Sequence, residues 1–292
     1  MLYNTATEKE NTTMEIQNQC FDAERALYGS RSLRLDHVCF DGPADGESAL
    51  KECAAVTAEN CTFNLRYPCW HDTGLTLRSC EMTKNCRAAI WYCEGVTIEN
   101  SRLHGIKALR ECGVVTVQGC NIVSSEFGWS TRGIVMRDTT AESEYFMLRS
   151  SHLRFENVRF TGKYSFQYIE DAEFVNCHFD TKDAFWHGKR ITVRDSEING
   201  EYLAWYSEDL TLVRCRIRGT QPFCYCKNLK LIDCEMVDAD LAFERSEVEA
   251  TLIAPILSIK NPLSGRITVP QVGEIIRDIP EAQGEIVIAS NV

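Results

Sequence analysis

A short pattern of alternating apolar residues recurs along the chain at a nearly fixed spacing. Two of its copies are LTLRSCEM from Leu75 and VTVQGCNI from Val115. Nine consecutive copies, from Val96 to Val248, begin 19 residues apart, and the phase continues to Ile286. A repeat of this length is typical of a solenoid, because each unit buries its apolar face only by stacking on its neighbours.

Each repeat is numbered here from position 0 at its first apolar residue, and apolar residues alternate with polar ones from there. This period of two predicts short strands rather than helices. Asn or Asp recurs at position 4, where a left-handed backbone bends the chain, and Cys or another small residue follows at position 5. Segments such as Phe185–Gly188 and Ala204–Ser207 indicate a third strand at positions 13–16. The sequence therefore predicts an all-β fold, a single-stranded right-handed parallel β-helix of about 12–14 coils, with 19 residues and three short strands per coil.

The two ends of such a solenoid need covering, since an open end exposes a strand edge and the core. We expect a short helix or turn over Gln19–Tyr28 to cover the first coil. Prolines replace the Cys and Asn columns beyond Val248, while Ile267 and Ile286 keep the 19-residue phase. The predicted division is a disordered tail at residues 1–15, a cap at 16–32, the regular β-helix at 33–255, and degenerate closing coils with a C-terminal cap at 256–292.

Charge and composition exclude several classes of protein. The chain carries 31 Lys and Arg against 42 Asp and Glu, a formal net charge of −11 at pH 7. No basic patch is available to neutralise phosphates, which argues against nucleic acid as a partner. No apolar run approaches the length of a membrane span, and the first residues lack the apolar stretch of a secretory signal. We therefore expect a cytoplasmic protein with no membrane partner, whose 15 cysteines are reduced thiols.

Five segments of the chain are distinctive: VTIENS (Val96–Ser101), IWYC (Ile90–Cys93), GKYSFQY (Gly162–Tyr168), DAFWH (Asp183–His187) and EYLAWY (Glu201–Tyr206). They resemble a bacterial domain-of-unknown-function family of right-handed parallel β-helix proteins in the pectin-lyase-like class. The resemblance covers nearly the whole chain from about Cys20, and it implies the fold but no activity. The wider class implies a carbohydrate groove on an outer face, with acidic residues for hydrolysis or a calcium site and a basic residue for elimination. Calcium thus enters by class analogy only, and the residues themselves indicate no cofactor.

Position 15 carries polar and aromatic residues throughout, so its side chains are expected to point outward. Strict alternation then turns positions 13 and 17 outward and positions 14 and 16 inward. Parity predicts that the position-14 side chains fill the core, whereas a turn within positions 12–14 would leave them as an outward aromatic surface. All five tryptophans of the chain fall at position 14: Trp70, Trp91, Trp129, Trp186 and Trp205. We favour the core for them.

The outward column predicts a candidate oligosaccharide site in the central coils, where neighbouring side chains would form a wall along the axis. Tyrosines stack on sugar rings, a histidine titrates near neutral pH, and an arginine or lysine holds a carboxylate. The candidate catalytic residues are His187, Glu170 and Glu208. The candidate substrate-binding residues are Arg149, Tyr168, Lys189, Tyr206, Tyr225 and Glu244.

A second, weaker candidate cluster consists of His71, Asp72, Tyr92, Glu94 and Glu111. For both sets the alternative is a ladder of stacked rings and alternating salt bridges that only stabilises neighbouring coils. The outward charges at position 6 are expected to form a solvated face. A ladder lays its Cys and Asp side chains in a straight line rather than tetrahedrally, so no metal site is predicted.

Two functions of different classes stay open at this point. The first is a protein that binds or processes an oligosaccharide on the outward wall, with a polysaccharide lyase-like or glycoside hydrolase-like activity if it is an enzyme. The second is a non-enzymatic scaffold whose long face or open end meets a protein partner. A fold of this class does not by itself imply either function. The oligomeric state is not specified by the pattern.

Overall fold

A computed structural model describes residues 13–289 as a parallel β-solenoid of about 14 turns with about 19 residues per coil, and this range contains no helix. The prediction of a stacked all-β coil is confirmed. The first strand of each coil pairs in parallel with its equivalent in the next coil. Leu153 pairs with Ala172, and Ala172 pairs with Ile191, so the 19-residue period is the strand register.

The strands form columns along the axis. The first column consists of Met14–Gln17, Arg31–Asp36, Ala54–Glu59, Thr73–Arg78, Glu94–Glu99, Gly113–Gln118, Arg132–Arg137, Ser151–Glu156, Glu170–Val175, Lys189–Arg194, Glu208–Val213, Leu229–Val237, Glu247–Leu252, Ser264–Val269 and Glu285–Ile288. The second consists of Cys20–Phe21, Cys39–Asp41, Thr62–Asn64, Glu81–Met82, Arg102–His104, Asn121–Val123, Thr140–Glu144, Arg159–Lys163, His178–Lys182, Glu197–Asn199 and Arg216–Arg218, continued by the end of Leu229–Val237. Two short groups complete the set, Cys69–Trp70 with Ile90–Trp91 and Leu109–Arg110, and Ile256–Lys260 with Val272–Ile276.

The two strand columns contribute the side chains at positions 0, 2, 5 and 7 of each coil to the core. In one coil these are Ala172, Phe174, Cys177 and Phe179, and all four are buried. The Cys177 thiol donates to the backbone carbonyl of Phe155 in the preceding coil, at 3.8 Å. A small side chain with a weak donor thus fits the narrow interior beside the bend, which confirms the inward prediction for position 5.

The bend at position 4 is built by residues with a left-handed backbone. Asn157 and Asn176 have φ values of 55° and 51°. The side-chain amide of Asn176 donates to the Asn157 side-chain oxygen at 2.6 Å, and that of Asn157 donates to Asp138 at 3.0 Å. Asn and Asp recur there because they tolerate a positive φ and also link neighbouring coils through their side chains.

The third side of most coils is a turn, which corrects the prediction of three strands per coil. Phe185–Gly188 and Ala204–Ser207, predicted as strands, contain no strand residue, and the first three residues of each segment form part of a turn. Positions 11, 13 and 15 have positive φ, as in Asp183 (55°), Phe185 (60°) and His187 (55°). Left-handed residues at every second position change the direction of successive side chains, so the two-residue alternation of a strand does not apply on this side.

The first coil begins earlier than the sequence predicts. Met14–Gln17 pairs with Arg31–Asp36, and Cys20–Phe21 pairs with Cys39–Asp41, so the segment predicted as a cap contributes strands to the solenoid. Residues 24–29 form a turn rather than a helix. Met14 lies in a strand although the sequence predicts a disordered tail there, and residues 1–12 of that tail lie outside the described residues.

The closing coils depart from the 19-residue phase. Val248 pairs with Gly265, 17 residues on, so Ile267 stacks on Ala250 and not on Val248 as predicted. A bulge between Leu231 and Cys234 precedes this change of register. Ile267 pairs with Ile286, which restores the 19-residue step at the last strand. The boundary proposed at residue 255 stays a prediction.

Candidate functional site

The predicted outward strip forms a continuous stack of rings in the central coils. The ring centroids are 4.8 Å apart for Tyr168 and His187, 5.0 Å for His187 and Tyr206, and 4.7 Å for Tyr206 and Tyr225. The paired ring planes are nearly parallel, at 10°, 7° and 9°. The Arg149 guanidinium lies 5.9 Å from the Tyr168 ring centre and covers that end. The inner rings therefore have both faces covered and present their edges to solvent.

The turn backbone holds this stack in register. Tyr168, His187 and Tyr206 have φ values of 57°, 55° and 61°. The backbone N–H of Tyr168 donates to the Trp186 carbonyl at 2.8 Å, and that of His187 donates to the Trp205 carbonyl at 2.9 Å. These equivalent residues have the same backbone conformation, and each donates to the equivalent carbonyl of the next coil. Their side chains therefore leave the coil in the same direction.

The acidic residues of the predicted site are held by cations on neighbouring coils. The Arg190 guanidinium contacts the Glu170 carboxylate at 3.0 Å and the Asp171 carboxylate at 2.6 Å, and its hydrogen bond lowers the Asp171 pKa. The Lys189 ammonium lies 4.0 Å from the Glu208 carboxylate. Within residues 13–289, no hydrogen bond or ion pair joins His187 to a carboxylate. No hydrogen bond or ion pair among the described residues therefore links the three candidate catalytic residues to one another, and their catalytic role stays a prediction.

Glu244 does not continue the strip as the sequence predicts. The N–H of Tyr225 donates to the Glu244 carbonyl at 2.8 Å, just as the N–H of Tyr206 donates to the Cys224 carbonyl at 3.0 Å. Glu244 is thus the equivalent of Cys224, one position away from the ring stack. The Glu244 carboxylate instead forms an ion pair with Lys260 at 3.1 Å. Val237 still pairs with Arg218, 19 residues earlier, so the extra residue that causes this shift lies between Val237 and Glu244.

The tryptophans are half-buried, so the prediction that they fill the core is wrong. Phe166, Phe185 and Phe223 at position 13 are fully buried in their place. Trp186 and Trp205 stack with centroids 5.3 Å apart and planes 4° apart. Their indole N–H groups donate to backbone carbonyls of the next coil at 2.6 and 2.8 Å. The left-handed backbone at position 13 explains why the phenylalanine there points inward and the following tryptophan does not. The prediction assumes that side chains alternate strictly between inward and outward, and the left-handed residue interrupts that alternation.

The second candidate cluster divides between surface and core. His71 and Tyr92 are exposed and stack with ring centroids 5.0 Å apart. The Glu111 carboxylate accepts a hydrogen bond from Arg110 at 3.1 Å, and Glu94 is exposed. Asp72, by contrast, is 1% exposed and lies in the inward column of position 16. The five residues therefore do not form one site.

Asp72 is an isolated carboxyl group in the core. One of its oxygens accepts the backbone N–H of Cys53 at 2.8 Å, and the other has no hydrogen-bond partner. Burial raises the pKa of Asp72 to about 8. The neutral acid is therefore the main form at neutral pH.

A polar groove that the sequence does not predict follows the bend between the two strand columns. It has a volume of about 580 Å³. The His178 imidazole lies 3.1 Å from the Asp180 carboxylate and 3.3 Å from the Glu197 carboxylate. The bend at position 4 sets the two strand columns at an angle. The charged side chains at position 6, which the sequence predicts on a solvated face, therefore line a concave surface. The lining residues are Asn157, Arg159, Asn176, Cys177, His178, Asp195, Ser196, Glu197, Arg214 and Arg216.

The groove carboxylates are tied to neighbouring donors. The Arg214 guanidinium contacts Asp195 at 2.7 Å, and this hydrogen bond lowers the Asp195 pKa. A hydrogen bond from Asn199 lowers the pKa of Asp180 beside the groove. Among residues 13–289, no group of three or more His, Cys, Asp and Glu is placed to hold a metal ion. In the same range no helix is long and apolar enough to cross a membrane.

Several solved structures are similar to this chain, β-helix proteins among them. A double mutant of the periplasmic alginate epimerase AlgG is 10% identical with a TM-score of 0.39, over 88% of this chain and 77% of that one. PfbA, a surface adhesin of Streptococcus pneumoniae, is 9% identical with a TM-score of 0.38, over 84% and 70%. HetL, a pentapeptide repeat protein from the cyanobacterium Nostoc, is 10% identical with a TM-score of 0.31, over 76% and 92%. At this level the likeness concerns the fold alone.

Comparison with protein families gives a match over almost the whole solenoid. No curated protein matches the chain. The family described as "Protein of unknown function (DUF3737)" matches residues 14–288, from the first described strand to the last. Since the match spans far more than half of the chain, the protein belongs to the DUF3737 family.

Proposed function

We propose that this chain is a non-enzymatic, rigid scaffold whose regular outer face binds a protein partner. The observation that carries the proposal is the face-to-face stack of Tyr168, His187, Tyr206 and Tyr225. A sugar-binding platform needs an exposed ring face, and here neighbouring rings cover those faces. The stack instead joins successive coils and fixes the shape of the outer wall, as expected of a surface that recognises a partner by its geometry.

The carboxyl groups support a structural role more than a catalytic one. Glycoside hydrolysis requires a protonated carboxylic acid and a second carboxylate about 5–9.5 Å away. Glu170 and Glu208 are engaged by cations, and the pKa of Asp195 in the groove is lowered. Asp72 has the raised pKa that a general acid needs, but it is 1% exposed and out of a substrate's reach.

The catalytic alternative is tested with two substitutions at one position. His187→Tyr keeps the ring stack, because tyrosine stands at the same position in both flanking coils, while it removes the imidazole. His187→Ala removes both. We expect no release of reducing ends by the wild type from a panel of neutral and uronic-acid oligosaccharides, with or without calcium. Release that the folded His187→Tyr variant loses would establish an enzyme and overturn the proposal.

Partner binding is tested on the same face by photo-crosslinking. A photoreactive amino acid replaces Tyr206, which is 46% exposed, and in a second variant it replaces Arg218, an exposed residue of the second strand column. In the cells that make the protein, we expect a discrete crosslinked product from position 206 and none from position 218. Absence of any product from both positions would count against the scaffold.

A second candidate function is the binding of an acidic oligosaccharide in the groove. The favouring observation is that Arg159, His178 and Arg216 line a concave polar surface across successive coils. Arg159 forms no ion pair with the residues that the structure describes, so its guanidinium is available for a carboxylate. Calorimetric titration with a uronic-acid oligosaccharide is expected to give binding that Arg159→Ala weakens at least tenfold, with a neutral oligosaccharide as control. Equal binding of both sugars would exclude this candidate.

A further inference from the structure

We infer that Cys20 and Cys39 form a redox-active thiol pair, which a low-molecular-weight disulfide oxidises to a protein disulfide at the N-terminal end of the solenoid. This modification site is independent of the proposed scaffold function. It joins the first described coil to the second, and within residues 13–289 the strands of that first coil pair on one side only.

The strand register brings the two cysteines side by side. Cys20 pairs directly with Cys39 across parallel strands. Adjacent strands lie about 4.8 Å apart, and disulfides join Cα atoms about 4.4–6.8 Å apart. The following residues, Phe21 and Phe40, stack their rings 5.6 Å apart against the core. Because side chains alternate along a strand, both cysteine side chains leave the opposite face, toward solvent.

Exposure distinguishes this pair from the other cysteines of the chain. Cys20 is exposed and Cys39 is half-buried, whereas the remaining 13 cysteines are buried. Stacked inward cysteines such as Cys61 and Cys80 also occupy successive coils, but the core excludes an oxidant from them. Within the described residues, the short strand Cys20–Phe21 pairs with Cys39–Asp41 alone, so it has freedom to adjust as a disulfide closes.

The reaction balances as two successive exchanges with oxidised glutathione. The Cys20 thiolate attacks one glutathione sulfur, the glutathione disulfide bond breaks, and one glutathione thiolate leaves. Cys39 then loses its proton and attacks the Cys20 sulfur of the mixed disulfide, and the second glutathione thiolate leaves. The pair has lost two electrons and two protons, and one glutathione disulfide has become two thiols.

The surroundings of the two thiols assign their roles. Burial raises the pKa of Cys39 to about 11, with further contributions from its hydrogen bond to Cys20 and from the charges of Cys20 and Asp41. The more exposed Cys20 is therefore the attacking thiol. Once Cys20 is in a mixed disulfide, its hydrogen bond and its charge no longer oppose the ionisation of Cys39, which favours the second exchange.

Mass spectrometry of the full chain treated with oxidised glutathione tests the inference. We expect a product lighter by two hydrogen atoms, a peptide crosslink between Cys20 and Cys39, and full reversal by dithiothreitol. Cys39→Ser is expected to stop at a stable glutathione adduct on Cys20. Cys61→Ser, a control in the buried column, is expected to leave the crosslink unchanged.

Alkylation of the native reduced protein provides an independent readout. Iodoacetamide is expected to label Cys20 first and Cys39 next, and the other thiols only after denaturation. A wild-type product that keeps glutathione on Cys20 with Cys39 free would overturn the inference. So would a crosslink that involves one of the buried cysteines, or a mass that does not change.

Discussion

At the scale of single residues, several buried polar groups in this core donate to the backbone of neighbouring coils. The Cys80 thiol donates to the Ala58 carbonyl at 3.3 Å, and the Ser150 hydroxyl donates to the Gly128 carbonyl at 2.5 Å. Asp72 differs, because one of its carboxyl oxygens has no partner. A buried carboxyl group with unmet hydrogen-bonding capacity is stable mainly in its neutral form, and this ties the stability of the fold to pH.

We predict that Asp72 makes the protein less stable as pH rises. Its pKa is about 8 in the folded state, whereas an aspartate in an unfolded chain ionises near pH 4, about its reference value. Unfolding therefore releases a proton between these values. The contribution of the neutral acid to the free energy of unfolding is fully present below about pH 4 and is lost as pH rises through about 8. The loss reaches several kcal/mol, at about 1.4 kcal/mol per pH unit.

Urea unfolding of the wild type and Asp72→Asn from about pH 4 to about pH 9 measures this effect. Asparagine keeps an acceptor oxygen for the Cys53 N–H but does not ionise. The free energy of unfolding of the variant, relative to the wild type, is expected to increase with pH up to about 8 and to level off above it. Asp233→Asn, which changes an exposed residue at a position-4 bend, is the control. The difference between its free energy of unfolding and that of the wild type should not change with pH. Parallel profiles for Asp72→Asn and the wild type would contradict the prediction.

At the scale of elements, the first two strand columns follow from the sequence, and the third side does not. Ala172 and Phe174 are buried as their period of two requires, and Asn176 marks the bend by its residue type. On the third side, Phe185 and His187 have positive φ although neither is Gly, Asn or Asp. No residue type signals the left-handed backbone there, and it is stabilised by hydrogen bonds to neighbouring coils that a single repeat does not reveal.

The sequence predicts which residues of the candidate site share a column, but it does not predict the contacts that their side chains make. The 19-residue phase is enough to place Tyr168, His187 and Tyr206 in one column. It does not reveal that the rings lie face to face, or that Arg190 rather than Lys189 holds Glu170. These details depend on side-chain rotamers and reach, which the spacing of residues does not specify.

We predict that the ring stack stabilises the central coils through its contacts rather than through the chemistry of histidine. His187→Ala removes two stacked contacts and should lower the free energy of unfolding by about 1–3 kcal/mol. His187→Tyr should stay within about 0.5 kcal/mol of the wild type, because a tyrosine ring restores both contacts. Chemical denaturation compares the variants, with Lys189→Ala as an exposed neighbouring control. Equal destabilisation by Ala and Tyr would show that ring stacking is not the stabilising interaction.

At the scale of the whole molecule, the solenoid is a stack in which each coil contacts mainly its two neighbours. Leu153, Ala172, Ile191 and Leu210 form one continuous column of paired positions. Any of these coils can in principle be removed if the next coil offers the same column at the same position. Correct stacking therefore requires that the 19-residue spacing continues from coil to coil along the whole chain. Deletion of residues tests this requirement.

We predict that deleting residues 191–209, one full coil, leaves a folded solenoid. Arg190 then connects to Leu210, and Ala172 stacks on Leu210 with the apolar side chains still inward. Deleting residues 191–208 instead puts Asp209 at position 0 and turns the following side chains to the opposite face, which a buried core does not tolerate. Far-UV circular dichroism and urea unfolding should give one cooperative transition for the first deletion. The slope of its free energy of unfolding against urea concentration should be lower by roughly one part in 14, since one of about 14 turns is removed. Folding of both deletions, or of neither, would mean that the 19-residue phase does not control the stacking of these coils.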